Sequence, residues 1–281
     1  MDKDVRVILR RVIIDCLILG SVALPLLIFK IWGTPYKRGF FCNDESLKHP
    51  FKDSTVTSEM LYVTGFAVPI AIFLATEFRH HHGTRSIGSK PVPLWVWESY
   101  KIIGIFLFGA ACSQLTTDIA KYTIGRLRPH FFDICQPDID CNLAENKHVY
   151  HEAFVCTNRQ VSAFRLKEIR LSFLSGHSSF SAYTMVFLVM YLQMRWNRRF
   201  STLLRHFLQF LALTMAWYTA LTRVSDYKHH WSDCLAGSAQ GALVAILIVT
   251  CVSGLTKKRP NLDSSGSLPM VQPGTNSSID T

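Results

Sequence analysis

The chain has 281 residues, 49% of them hydrophobic and 18% charged, with a mean hydropathy of +0.18. A charged share below the roughly 25% of soluble domains argues against a disordered chain and against an ordinary soluble domain. The formal charge of +10 would suit nucleic acid, but basic residues also mark the cytosolic flanks of membrane spans.

A membrane-spanning helix needs about 20 mostly apolar residues. Six stretches meet that need in chain order: Val12–Trp32, Met60–Thr76, Ile102–Ala120, Ser179–Trp196, Phe207–Leu221 and Cys234–Val252. The second and fifth are short. The sixth carries no charge between Cys234 and Gly254, which a buried soluble helix with a polar face would not show. Arg10 and Arg11 ahead of the first stretch resemble a secretory signal. Its length and the five later stretches read instead as an uncleaved anchor.

Orientation follows the Lys and Arg residues near span ends. With the amino terminus in the cytosol, fifteen basic residues fall in cytosolic segments against six acids. The +10 is therefore mostly positive-inside bias, and no nucleic-acid partner is expected. The opposite side receives two longer connections, about 33–59 and 121–174, and a short turn at 223–233. The expected fold is all-α, a polytopic membrane protein with one six-span domain over 1–255. The Ser/Gly/Pro-rich segment 256–281 reads as a disordered cytosolic tail.

Eight cysteines divide under this topology. Cys16, Cys112, Cys234 and Cys251 fall in or at the ends of spans, as small packing residues. Cys42, Cys135, Cys141 and Cys156 fall in the exterior connections, where an oxidising compartment permits disulfides in any of three pairings. Zinc would need CxxC or HxxxH spacing, and the sequence has none.

Three polar clusters interrupt the apolar pattern. Lys121-Tyr-Thr-Ile-Gly-Arg-Leu-Arg128-Pro129-His130 ends the third span. Leu174-Ser175-Gly176-His177-Ser178-Ser179 opens the fourth. Arg223 to Asp233, containing His229 and His230, links the fifth and sixth. The span count alone puts all three on one face.

Their chemistry fits a phosphate ester. Lys121, Arg128 and Arg223 offer three fixed cations for one polyanion, with Arg supplying bidentate donors. Ser175 and Gly176 precede a helix, whose first backbone N–H groups point at an anion. Asp233 lies one helical turn beyond His229, so its carboxylate can fix the imidazole tautomer and leave the other nitrogen free to attack. These groups point to phosphoryl transfer to histidine followed by hydrolysis. Each cluster also has a plainer reading: interfacial cations, a Ser175 helix cap, a satisfied polar turn.

The pattern Lys-x6-Arg-Pro, Ser-Gly-His and Arg-x5-His-x3-Asp resembles the signature of the type 2 phosphatidic acid phosphatase superfamily. The stretches YKRGFFCNDES, FLFGAACSQLTTDIAKYTIGRLRPHF, RLSFLSGHSSFS and TRVSDYKHHWSDCLAGSAQGALVAIL resemble its lipid phosphate phosphatase (phospholipid phosphatase) family. The resemblance implies the six-span fold of that superfamily with an exterior or lumenal active site. It implies hydrolysis of phosphate monoesters of phosphatidate, lysophosphatidate, ceramide 1-phosphate or sphingosine 1-phosphate, without metal or other cofactor. It gives His229 as nucleophile, Asp233 as its orienting carboxylate, and His177 as acid and then base. Lys121, Arg128, Ser175, Gly176 and Arg223 hold the phosphate. Composition alone does not choose between His229 and His230; the Arg-x5-His spacing picks His229. Lipid phosphates and the bilayer are the implied partners, with self-association into homo-oligomers and a plasma-membrane location. Leu174 stands where the superfamily often has Pro, and Thr222 where Ser is common.

Other signals carry less. Asp138-Ile-Asp140 reads as a solvated turn rather than a metal site, and Arg79-His80-His81-His82 as an interfacial flank. Asp118 lies three residues before Lys121 and reads as a supporting ion pair. A non-enzymatic lipid- or partner-binding protein on the same scaffold is the alternative; the complete motif set favours the enzyme. A transporter would show spans broken midway, and none is visible.

Overall fold

The computed structural model describes residues 3–87, 90–196 and 201–255. The proposed tail 256–281 lies outside the described residues. All six expected stretches are helical, each extended at one or both ends. They form α1 (Lys3–Trp32), α2 (Ser58–His80), α3 (Leu94–Ile124), α6 (Gly176–Arg195), α7 (Thr202–Ser225) and α8 (Trp231–Leu247), the last continued by a π-helical turn over Ile248–Val252. Short helices α4 (Phe131–Cys135) and α5 (Ala163–Glu168) lie in the long connection between α3 and α6. Strand β1 (Phe40–Phe41) pairs antiparallel with β4 (Tyr150–His151), and β2 (Thr84–Ile87) with β3 (Lys90–Pro93). The apolar sequence pattern carries no sign of these short ladders, because two to four residues are too few to show a period.

Local chemistry sets the helix ends. Thr57, Ser175 and Ser201 cap α2, α6 and α7, each accepting a backbone N–H three residues on. His230 and Asp233 form a capping box at the start of α8.

Among the described residues, four helices are long and apolar enough to cross a membrane: Val5–Trp32 within α1, α2, α3, and Trp231–Val252. Helices α6 and α7 fall short of that apolarity. Helix α6 is central, packed on α2, α3, α7 and α8. Its Ser178, Ser179, Ser181, Tyr183, Thr184 and Tyr191 are buried among those neighbours rather than turned to lipid. The hydroxyls are satisfied: Tyr183 donates to the Phe106 carbonyl at 2.8 Å and Thr184 to the Phe180 carbonyl at 3.0 Å. Helix α7 begins with polar residues engaged by neighbours, with Gln209 donating to the Val189 carbonyl at 3.0 Å.

The bundle core is aromatic. Phe73, Phe106, Tyr183, Phe187 and Tyr191 interlock with Leu188, Leu192 and Val249, mostly edge-to-face. Helix α1 packs along α3 and leaves Val7, Ile13, Leu17, Leu24 and Ile31 exposed, an apolar surface suited to lipid. Helix α6 meets α8 closely at Gly241, where a Cβ would collide with the Ser179 carbonyl. That approach brings the start of α6 beside the start of α8.

A second, smaller core lies over one end of the bundle. Phe40, Leu47, Leu127, Phe131, Ile134 and Ile169 pack with Cys42 and Cys135. Disulfides Cys42–Cys141 and Cys135–Cys156 tie it together. The four cysteines assigned to the exterior connections are thus all paired, and the pairing is settled. Cys16, Cys112, Cys234 and Cys251 are free thiols. Asp138 and Asp140 accept the backbone N–H groups of Val155 and Asn142, and no metal-holding group of three His, Cys, Asp or Glu occurs among the described residues.

Candidate active site

The three motif clusters meet beneath the disulfide-tied cap, at one end of the bundle. A cavity of about 320 Å³ is lined there by Lys121, Arg128, Gly176, His177, Arg223 and His229, six of the eight residues singled out from the sequence. Its other walls include Phe51, Ser54, Leu61, Tyr62, Gln114, Glu168 and Lys228.

Each functional side chain has a structural reason for its place. Lys121 sits in the last turn of α3, with its Nζ 4.0 Å from Asp118 Oδ1, the ion pair expected from their spacing. Arg128 follows α3 in an irregular segment, its own N–H bonding the Ile169 carbonyl at 2.8 Å. Arg223 ends α7 nearly fully buried, bonding Ser54 Oγ at 3.2 Å and Asp226 at 3.0 Å. Asp226 in turn accepts from the backbone and hydroxyl of Thr55, both at 2.8 Å, and so anchors the α1–α2 connection onto the site. Gly176 opens α6 beside Lys121, where a Cβ would press on the ammonium.

Three buried nitrogens at this cavity, Arg128 Nε, Arg223 Nε and His177 Nε2, make no hydrogen bond among the described residues. Buried donors are rarely left so without a functional reason. Two guanidinium N–H groups and an imidazole nitrogen around one small cavity can bond the oxygens of a tetrahedral anion. The other side of the His177 ring bonds the backbone of Val56.

His229 is buried, and its Nδ1 lies 2.7 Å from the carbonyl oxygen of Ser172. A carbonyl only accepts, so Nδ1 carries the proton and Nε2 is left unprotonated. Burial, then the cations Arg128 and Lys121, push the His229 imidazole well below its ordinary range and keep it neutral. A neutral imidazole with a free Nε2 is a competent nucleophile.

The direct carboxylate–imidazole bond expected from the one-turn spacing is not formed. Asp233 Oδ2 stands 4.0 Å from His229 Nδ1, beyond hydrogen-bond reach. The reason is local. Asp233 occupies the third position of α8, and its Oδ2 turns back to the His230 N–H at 3.1 Å and accepts the Ser172 hydroxyl at 2.6 Å. Its Oδ1 pairs with Arg126 at 2.5 Å. Ser175 also does not line the cavity. Its hydroxyl caps α6 and accepts from Ser178 Oγ at 3.0 Å.

His230 is held away from the cavity by its Nε2, which donates to the Leu127 carbonyl at 3.1 Å. The two adjacent histidines thus have different settings, and only His229 lines the cavity.

Several contributors escaped the sequence reading. Arg126 and Ser172 hold Asp233, and Asp226 holds Arg223. Lys228 lines the cavity with its ammonium 3.5 Å from the centre of the Phe51 ring. Burial and the neighbouring Arg128 lower Lys228 to about 8. Glu168 pairs with Arg128 at 3.0 Å. Burial raises the Glu168 carboxyl, but Arg128, Lys121 and Lys228 outweigh burial and hold it below its ordinary range. Arg126 and Lys228 lie inside the quoted motifs as their unassigned positions, which was the one available signal.

Helices suited to a bilayer, with a polycationic cavity and two histidines at one end, are features of a membrane protein. The profile of the family described as the PAP2 superfamily matches residues 102–257. The chain is 51% identical over 277 residues to a putative phosphatidate phosphatase of Drosophila melanogaster, covering 93% of this chain and 73% of that protein. It is 42% identical over 256 residues to phospholipid phosphatase 1 of Rattus norvegicus, covering 88% of this chain and 86% of that protein. It is 42% identical over 252 residues to phospholipid phosphatase 2 of Homo sapiens, covering 89% and 85%. No solved structure matches the chain. The chain belongs to the PAP2 superfamily, and its curated relatives bear the names of phosphatases.

Proposed function

We propose that the protein is an integral-membrane lipid phosphatase that hydrolyses phosphate monoesters of phosphatidate, lysophosphatidate, ceramide 1-phosphate and sphingosine 1-phosphate without metal. The observation that carries this reading is the set of three unbonded nitrogens, on Arg128, Arg223 and His177, around the cavity that also holds His229. The names of the relatives support a phospholipid substrate.

Lys121, Arg128 and Arg223, with the backbone N–H groups at Gly176, bind the phosphate and offset its charge. His229 Nε2 forms a bond to phosphorus as the bond to the lipid oxygen breaks. His177, protonated to the imidazolium beside the bound phosphate dianion, gives its Nε2 proton to that oxygen, so the alcohol leaves neutral. Water then attacks the phosphohistidine, gives its proton to His177, and the N–P bond breaks to release phosphate. Asp233 steadies the nucleophile. Ser175 shapes the start of α6 and so the N–H groups that face the phosphate.

The same reading takes six helices as spans. It puts both termini in the cytosol and the site on the extracellular or lumenal face, with residues 1–255 as one catalytic domain. Plasma-membrane residence and homo-oligomerisation follow from the family resemblance. The disulfides of the cap support an oxidising compartment for the site.

The test is phosphate release from lysophosphatidate by purified protein in mixed micelles with divalent ions chelated. Wild type turns over, and His229→Ala does not. Full activity in His229→Ala, or loss of wild-type activity on chelation, would overturn the assignment. Protease access to tags at Asp138 and Pro273 tests the topology, which requires cleavage from opposite sides.

A further inference from the structure

Ser172 touches both partners of the nucleophile. Its backbone carbonyl accepts the Nδ1–H of His229 at 2.7 Å, and its hydroxyl donates to Asp233 Oδ2 at 2.6 Å. Its own N–H bonds the Arg126 carbonyl at 3.0 Å. Ser172 and Asp233 are fully buried, and His229 nearly so. One residue therefore joins the segment after α3, the approach to α6 and the start of α8. It stands where sequence reasoning expected a direct bond from carboxylate to imidazole.

We infer that Ser172 is the positioning residue of the nucleophile, carrying the influence of Asp233 to His229 through its own hydroxyl and carbonyl. This rests on the reading of His229 as nucleophile. The carbonyl selects the tautomer with Nε2 unprotonated. The Asp233 carboxylate fixes the Ser172 side chain and, through it, the orientation of that carbonyl. Positive charge that develops on the imidazole as Nε2 bonds phosphorus is met first by a neutral carbonyl dipole. The carboxylate lies one residue further out, at 4.0 Å. The linkage is short and dry, so its effect is not screened by water. No proton moves along it: the Ser172 hydroxyl keeps its proton toward Asp233, and Nδ1 keeps its own toward the carbonyl.

This arrangement separates two functions. The phosphate contacts at Lys121, Arg128 and Arg223 do not involve Ser172, so substrate binding is independent of it. The rate of attack by His229 is not. Ser172→Ala removes the hydroxyl and keeps the carbonyl. Loss of a buried hydrogen bond to a charged group lowers turnover by about tenfold to a hundredfold. Competitive inhibition by inorganic phosphate stays at the wild-type constant, because the cations are untouched.

The experiment measures kcat, KM and the inhibition constant of inorganic phosphate for wild type, Ser172→Ala, Ser172→Thr, Asp233→Asn and the Ser172→Ala/Asp233→Asn double variant, with His229→Ala as control. The expected result has four parts: kcat falls in Ser172→Ala at constant phosphate inhibition, Ser172→Thr restores part of it, Asp233→Asn also loses kcat, and the double variant is no slower than the slower single one. Wild-type kcat in Ser172→Ala overturns the proposal, as do losses that multiply in the double variant. Weakened phosphate inhibition in Ser172→Ala overturns it too, since a general structural defect would disturb the cations as well. If His229→Ala keeps full activity, the nucleophile reading itself fails. If His229→Ala is inactive while Ser172→Ala matches wild type, only the positioning role fails.

Discussion

Arg126 reaches across from the end of α3 to the buried carboxylate of Asp233 at the start of α8. The same guanidinium donates to Ser232 Oγ at 2.9 Å. Asp233 is wholly shielded from solvent, while the Arg126 side chain is 32% exposed. The pair thus neutralises a charge that the interior would otherwise hold alone.

Removing Arg126 leaves that carboxylate buried with neutral donors only. Arg126→Ala is expected to destabilise the folded protein by about 3 kcal/mol. The check is the apparent melting temperature in detergent, read by size-exclusion of the surviving fold. Arg126→Lys, which keeps the charge but loses the bond to Ser232, is expected to fall between the two.

Glu168 holds Arg128 at 3.0 Å on the wall of the cavity. A phosphate that takes Arg128 must displace or share with this carboxylate, and the two anions repel. Glu168→Gln removes the competitor without changing the shape. Inorganic phosphate is then expected to inhibit about threefold to tenfold more tightly, a gain of about 1 kcal/mol as for other half-exposed charge pairs. Unchanged or weaker inhibition would show that Glu168 supports Arg128 rather than opposing the ligand.

Lys228 stands at about 8 because burial and Arg128 disfavour its charge. It is cationic below that value and neutral above it. Its attraction for a phosphate is therefore present at neutral pH and lost as pH rises through about 8. The alkaline limb of kcat/KM, which reports the free enzyme, is expected near that pH. Lys228→Arg stays charged and is expected to remove the limb, measured on lysophosphatidate from pH 6 to pH 10.

The α6–α8 contact allows no side chain at Gly241, where a Cβ would meet the Ser179 carbonyl. Gly241→Ala forces the helices apart or distorts one of them, at a cost of about 1–3 kcal/mol. Because this contact also places Ser175 beside Asp233, its N–H bonding the Asp233 carbonyl at 3.1 Å, the variant is expected to lose turnover as well as stability. Activity assays on the folded fraction separate the two effects.

Much of this site is legible in the sequence. Lys121, Arg128, Gly176, His177, Arg223 and His229 meet as their spacing implied, because span counting brings their segments to one face. Helices α1, α2, α3 and α8 announce themselves by apolarity, since they present wide surfaces to lipid. Helices α6 and α7 are fainter for a physical reason: polar atoms satisfied by neighbouring helices lower the hydropathy without exposing them to lipid. The parts that stayed hidden depend on contacts between distant segments. A one-turn spacing allows Asp233 to reach His229, but a helix cap, Arg126 and the Ser172 hydroxyl compete for the same carboxylate. No periodicity reveals that competition. The disulfide pairing and the anchoring of Thr55 on Asp226 are hidden for the same reason.

The Cys42–Cys141 bond has a consequence for the chain as an object. It closes a covalent ring that contains all of α2, the β2–β3 hairpin and all of α3. A single protease cut in that hairpin opens the ring without dividing the molecule. Cut protein should run as one species on a denaturing gel until a reductant is added, then separate into an amino-terminal piece with α1 and α2 and a larger remainder. The bond thus serves as a molecular clasp whose state can be read by gel, on protein that no longer has to be folded or active.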